Sequence, residues 1–181
     1  MSDIDTFIIN QYVFKKKIDA EKIRKRVEEL AASIRNDYKA AKKMTYIVVL
    51  KGAFIFAADL IREINKPSEI IFVDAKSYGM NLKSTGKVVL NLGDLDLEDK
   101  YVLIIEDIID SGRTMKALTD ELNRQKPHTM EIAAFLSKPE AREVELDIKY
   151  IGYKIPPDFV IGYGLDYAEE GRHLPHIYSK I

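Results

Sequence analysis

The stretch Tyr101–Thr114, YVLIIEDIIDSGRT, limits the possible folds more than any other. Val102, Leu103, Ile104 and Ile105 form an unbroken apolar run. Such a run fits a strand covered by helices on both faces, because a strand with one wet face would alternate. Two acids, Glu106 and Asp107, follow it, and a third, Asp110, comes after two isoleucines. Charges straight after a central strand sit at its carboxyl end, the edge of an open α/β sheet where ligands bind. Ser111 and Gly112 then make a turn, and a helical pattern opens with Met115, Leu118 and Leu122 on one face. A small-residue turn opening a helix offers unpaired backbone N–H groups and the positive end of the helix dipole, which suits a phosphate. The turn alone could be an ordinary helix cap. Three acids crowded against it argue for more, since like charges on one short loop are costly without a cation. The loop is read as holding a phosphate beside hydroxyl groups or a metal.

The rest of the chain repeats the strand-then-helix rhythm. Phe7–Phe14 reads as a short strand, and Asp19 caps a helix with Ile23, Val27, Leu30, Ala31, Ile34 and Tyr38 on one face. Tyr46–Leu50 is a second buried strand. Lys51–Gly52 follows at once, and a helix runs from about Ala53 to Ile64. Strand–Lys–Gly–helix again suits a phosphate, although a Gly at such a junction is often only turn chemistry. No GxxxxGK[ST] pattern occurs, which disfavours a P-loop nucleotidase. Glu69–Val73 and Lys87–Leu92 are strands flanking a polar loop at Lys76–Gly86, which reads either as a lid or as a plain hairpin tip. Glu131–Leu136, Asp147–Ile151 and Phe159–Ile161 are further strands, and the tail from Gly162 reads as an irregular lobe over the strand ends. Strands alternating with helices predict a mostly parallel, doubly wound α/β sheet. Lys51, Glu106, Asp107, Asp110 and Lys138 all follow strands, so parallel strands would gather them on one edge.

The chain has 181 residues, a net charge of −1 and no cysteine. Balanced charge gives no pull toward nucleic acid or membrane, and the lack of cysteine excludes disulfides and thiolate chemistry. No apolar run reaches the roughly 20 residues that span a bilayer, and MSDIDTF has no signal-peptide character. A cytoplasmic enzyme or regulator is expected.

IIEDIIDSGRTM resembles the PRPP-binding motif of the type I phosphoribosyltransferases, and in particular the hypoxanthine(-guanine) branch used in purine salvage. LKGA at 50–53, KSYG at 76–79, FLSKP at 135–139 and PDFVIGYGLDYAEEGRHLP at 157–175 carry the same resemblance, in order, over roughly Gln11–Pro175. It implies the type I fold in a single domain over 1–181. A hood lobe would come from about 1–16 and 150–181, with a mobile loop at about 76–87. It also implies a Mg²⁺-dependent reaction of PRPP with hypoxanthine, and with guanine, that yields a nucleotide and pyrophosphate. A homodimer or homotetramer is expected, without nucleic-acid or membrane partners.

The resemblance assigns roles residue by residue. Asp110, Ser111, Gly112, Arg113 and Thr114 would hold the 5′-phosphate, and Asp110 would be the general base for the purine. Glu106 and Asp107 would face the ribose hydroxyls and magnesium, and Asp166 would be a second magnesium-site acid. Lys51, Gly52 and Arg172 would bind pyrophosphate, with an unusual and often cis peptide at Lys51. Lys138 would read the purine's exocyclic oxygen, because an ammonium has donors only. Phe159 would stack on the base and the Val160 backbone would meet its edge. Ser77 and Tyr78 belong to the mobile loop. Taken without the family, Asp110 could merely cap the helix, Glu106 and Asp107 could be solvated strand-end acids, and Phe159 would be read as core. Three positions depart from the family pattern: Ala53 replaces a common Gly, Gly171 a frequent aromatic, and Arg113 a frequent Lys.

Overall fold

Val102, Leu103, Ile104 and Ile105 have no solvent exposure, and a computed structural model of the chain explains this by two cores pressing on one strand. The structure describes residues 5–77, 88–91 and 95–181. In chain order its elements are β1 (Thr6–Ile9), β2 (Tyr12–Ile18), α1 (Ala20–Asp37), β3 (Met44–Leu50), α2 (Phe54–Ile64), β4 (Ser68–Ser77) and β5 (Val88–Asn91). There follow β6 (Tyr101–Ile109), α3 (Arg113–Asn123), β7 (Thr129–Ser137), β8 (Tyr150–Lys154), β9 (Val160–Ile161) and β10 (Ile177–Lys180).

The larger sheet has the order β5-β4-β3-β6-β7-β8. Five strands run parallel, and β5 joins β4 antiparallel at the edge. Leu103 and Ile105 pack with Tyr46, Val48, Phe135 and the apolar faces of α1 and α2. Val102 and Ile104 pack with Ile47, Val49, Ile132 and the Met115, Leu118 and Leu122 stripe of α3. Helices therefore cover both faces, as the unbroken apolar run requires. Ile108 returns to the first core and Ile109 to the second, so the alternation of β6 slips between 105 and 108. β6 runs on through Glu106 and Asp107 instead of stopping before them, and the slip falls at this acidic pair. The α1 cap is as read, with Asp19 Oδ1 accepting the Lys22 N–H at 2.9 Å. No described helix is long and apolar enough to cross a membrane.

The smaller sheet, β1-β2-β10-β9, is antiparallel and has its own core of Ile9, Phe14, Ile161, Leu174 and Tyr178. It is the hood expected from the chain ends, with two corrections. The segment read as one strand at 7–14 is a hairpin, turned at Asn10 with φ 52°. Residues 150–154, expected in the hood, form β8 of the larger sheet because β8 pairs in parallel with β7. The tail also holds a regular strand, β10, too short for its four residues to show a period in sequence. The expected loop at 76–87 lies outside the described residues, Tyr78 included, apart from Lys76 and Ser77, which end β4.

Two contacts fix the hood over the sheet. Tyr163 donates its hydroxyl to Asp59 Oδ2 of α2 at 2.7 Å. Gly164, at φ +100°, lies so close to Gly52 that a Cβ on it would stand 2.1 Å from the Gly52 carbonyl oxygen. Only glycine tolerates both this backbone conformation and this approach. We predict that Gly164→Ala destabilises the protein by about 2 kcal/mol or more, since strain and overpacking act together. Thermal unfolding measures this, and an unchanged melting temperature would refute the close contact.

Candidate active site

A cleft of about 670 Å³ opens at the carboxyl edge of β3, β4 and β6. It brings together Lys51, Gly52, Glu106, Asp107, Asp110, Ser111, Gly112, Thr114, Asp166 and Arg172. Lys138, Arg113, Phe159 and Val160 stand outside its lining.

Glu106 and Asp107, both half-buried, form the inner end. Glu106 Oε2 is inaccessible and has no hydrogen-bond partner. Burial, reinforced by the neighbouring Asp107, pushes the Glu106 carboxyl well above the usual carboxylate range. Burial also raises Asp107, opposed by hydrogen bonds from Glu106 and the Ile108 N–H and by the charge of Arg172. Two adjacent, half-buried and largely desolvated carboxyls cannot both ionise cheaply without a cation or several donors. An orphaned, hard oxygen beside a second carboxylate therefore fits Mg²⁺ or a ribose diol. Among the described residues no group of three or more His, Cys, Asp or Glu gathers for a metal. Gly52 is what lets Asp107 sit here: a Cβ on it would stand 1.5 Å from Asp107 Oδ2.

The turn at 110–114 opens α3 without a side-chain cap, and Gly112 takes φ +80°. The capping role for Asp110 is thus not adopted. Its carboxylate pairs instead with Lys138 Nζ at 2.8 Å. Lys138 is buried while Asp110 is more than half exposed, so the ammonium points a well-held charge at an accessible carboxylate. The turn is braced from behind by the segment after β7. Arg142 donates to the Asp110 carbonyl at 3.2 Å and to Ser137 Oγ at 3.0 Å, and the Glu143 N–H donates to the Ser111 carbonyl at 3.0 Å. Arg113 pairs with Glu143 and takes its charge away from the cleft.

On the other wall the Leu50–Lys51 peptide is cis. Ala53 sits at φ −70°, ψ −8°, an ordinary helical conformation, so the missing glycine costs no backbone freedom. Gly171 has φ +99°. Beside it Arg172 is held by three acceptors: the Gly164 carbonyl at 2.9 Å, Asp166 Oδ1 at 2.8 Å and Glu169 Oε2 at 3.2 Å. Asp166 Oδ2 accepts the Glu169 N–H at 2.8 Å, so both Asp166 oxygens are engaged.

Phe159 is 46% exposed and lies edge-on to Tyr167, with centroids 5.6 Å apart. β9 is the outer strand of the hood. Lys180 N–H donates to the Phe159 carbonyl at 2.9 Å, and Val160 pairs with Ser179. By the alternation of an antiparallel ladder, the Val160 N–H and carbonyl point away from β10 toward the outer edge.

Sequence reading missed Asp74, Glu169 and Arg142. Asp74 ends up opposite Leu50 on the neighbouring strand and lines the cleft; the strand-end rule applied to the other acids would have found it. Glu169 lines the cleft too, three residues before Arg172 in a Gly-flanked tail. Nothing local marks Arg142.

A sequence model of the phosphoribosyl transferase domain matches residues 16–168. The hypoxanthine-guanine phosphoribosyltransferase of Aquifex aeolicus is 42% identical over 160 residues, which covers 87% of this chain and 89% of that protein. The hypoxanthine phosphoribosyltransferase of Escherichia coli (strain K12) is 41% identical over 162 residues, covering 88% and 91%. A 1.95 Å crystal structure of a hypoxanthine-guanine phosphoribosyltransferase from Bacillus anthracis, with HEPES in its active site, has a TM-score of 0.86 at 42% identity. It covers 92% of this chain and 98% of that one. With fold, motif order and sequence in agreement along most of its length, the chain belongs to the phosphoribosyltransferase family, in the type I fold and the hypoxanthine(-guanine) branch.

Proposed function

We propose that the protein transfers the 5-phosphoribosyl group of PRPP to a 6-oxopurine, hypoxanthine or guanine, giving IMP or GMP and pyrophosphate in purine salvage. The observation that carries this reading is the Asp110–Lys138 pair, 2.8 Å apart at the mouth of a phosphate-type turn. A 6-oxopurine carries an N7 proton beside its O6 acceptor. A carboxylate beside an ammonium is the matching acceptor–donor couple. Adenine, with an amino group in place of O6, would set donor against donor.

The chemistry follows from the surrounding groups. The backbone N–H groups at 111–114, with the Ser111 and Thr114 hydroxyls, take the 5′-phosphate at the α3 N-terminus. Glu106 and Asp107 accept from the ribose hydroxyls and would hold Mg²⁺ there, and Asp166 would serve a second magnesium site. Bound there, Mg²⁺ would neutralise charge on the pyrophosphoryl oxygens. Lys51, the Gly52 N–H and Arg172 stabilise departing pyrophosphate as the C1′–O bond breaks. N9 of the purine closes on C1′ while Asp110 takes the N7 proton. Phe159 offers a ring face for stacking and Val160 an edge of backbone groups. We further read the enzyme as a cytoplasmic homodimer or homotetramer.

Incubation with PRPP, Mg²⁺ and each of hypoxanthine, guanine, xanthine and adenine tests the proposal. We expect turnover of hypoxanthine and guanine, and none or little of adenine. No turnover of any base would sink the enzyme reading, and efficient use of adenine would overturn the role of Lys138. Asp110→Asn should lower kcat by roughly 10²- to 10⁴-fold with little change in PRPP affinity, because the turn's backbone donors remain. Steady-state kinetics decide this, and an equal loss of PRPP affinity would make Asp110 structural. Glu106→Gln should raise ligand-free stability by about 1–2 kcal/mol, because an amide still donates to Asp107 and carries no charge for desolvation to oppose. The same variant should lose turnover. A fall in melting temperature would argue against this account of the pair.

A further inference from the structure

Glu169 lies between the two cations read as pyrophosphate ligands. Its Oε1 is 3.1 Å from Lys51 Nζ and its Oε2 3.2 Å from Arg172 Nη2. Its own N–H is tied to Asp166 Oδ2, so the side chain swings from a fixed point. Lys51 above all, then Arg172, holds its carboxyl below the usual carboxylate range. A carboxylate offers an ammonium and a guanidinium the same kind of oxygen acceptors as a phosphoryl group does.

Two roles are conceivable for such a residue, and they differ in sign. Glu169 could orient Arg172 for its ligand. Arg172 already has two shorter contacts, to the Gly164 carbonyl and to Asp166, so orientation does not depend on Glu169. We propose that Glu169 is a competitor built into the site. It takes up Lys51 and Arg172 by mimicking pyrophosphate, opposes diphosphate binding, and returns to the two cations as pyrophosphate leaves. This rests on the reading of Lys51 and Arg172 as the pyrophosphate subsite. It adds a residue that sets product affinity there.

The test uses Glu169→Gln in the full chain, with calorimetric titration of pyrophosphate in Mg²⁺ and, separately, of IMP. Glu169 is two-thirds exposed, so the variant should fold, and a thermal melt checks that. We expect pyrophosphate to bind roughly three- to tenfold tighter at low salt, with the gain shrinking as salt rises. IMP affinity should not change. Unchanged or weaker pyrophosphate binding in the variant would overturn the competitor role in favour of orientation or no role. A parallel shift in IMP affinity would overturn it as a general disturbance. Wild-type protein that binds IMP but not pyrophosphate would instead overturn the subsite reading itself.

Discussion

The site depends on a contact made by atoms that are missing. Gly52 has no Cβ, and Asp107 Oδ2 stands almost where one would be. Gly164 has none either, and it rests against the Gly52 carbonyl. Two glycines thus stack an acid from the central strand, the cis-peptide loop after β3 and the hood into one close assembly. Side chains at these points would push the layers apart by steric exclusion alone.

Charge in the cleft is graded by depth. The two deepest acids are desolvated, and one oxygen of Glu106 has no partner. Around them, among the described residues, the cations are matched: buried Lys138 with half-exposed Asp110, Arg172 with Asp166 and Glu169, Lys51 with Glu169. The inner end is unfavourable for the free protein and suited to a cation or a diol, whereas the exposed Lys51–Glu169 pair exchanges partners at little cost in high dielectric. A fold that bears such a local penalty where it works is common, because stability and function compete at the same residues.

Much of this was legible in the chain. The unbroken run 102–105 announced a strand covered on both faces, Asp19 announced a helix start, and charges after apolar runs announced the working edge. What stayed hidden depends on distant partners. Whether Asp110 caps α3 or meets Lys138 depends on where β7 ends, 27 residues further on in the chain. The hairpin turn at Asn10 has no Gly or Pro to mark it. Glu169 looked like one more charge in a polar tail, since its meaning depends on Lys51 across the cleft. The slip in β6 falls at Glu106 and Asp107, where two acids interrupt the apolar run and leave no alternation to read.

The order of the hood strands bears on how the protein folds. β10 lies between β2 and β9, and nearly the whole described chain separates it from β2. Contacts that close so long a loop form late, because chain entropy must be overcome before they repay it. The parallel sheet, with its turn at 110–114, can assemble from nearer neighbours first. Until β10 arrives, β2 presents an unpaired strand edge, the kind of surface through which chains associate wrongly. β9, with Phe159 and Val160, is thus the last part of the hood to settle, and the β1–β2 hairpin is the part most exposed to misassembly before it does.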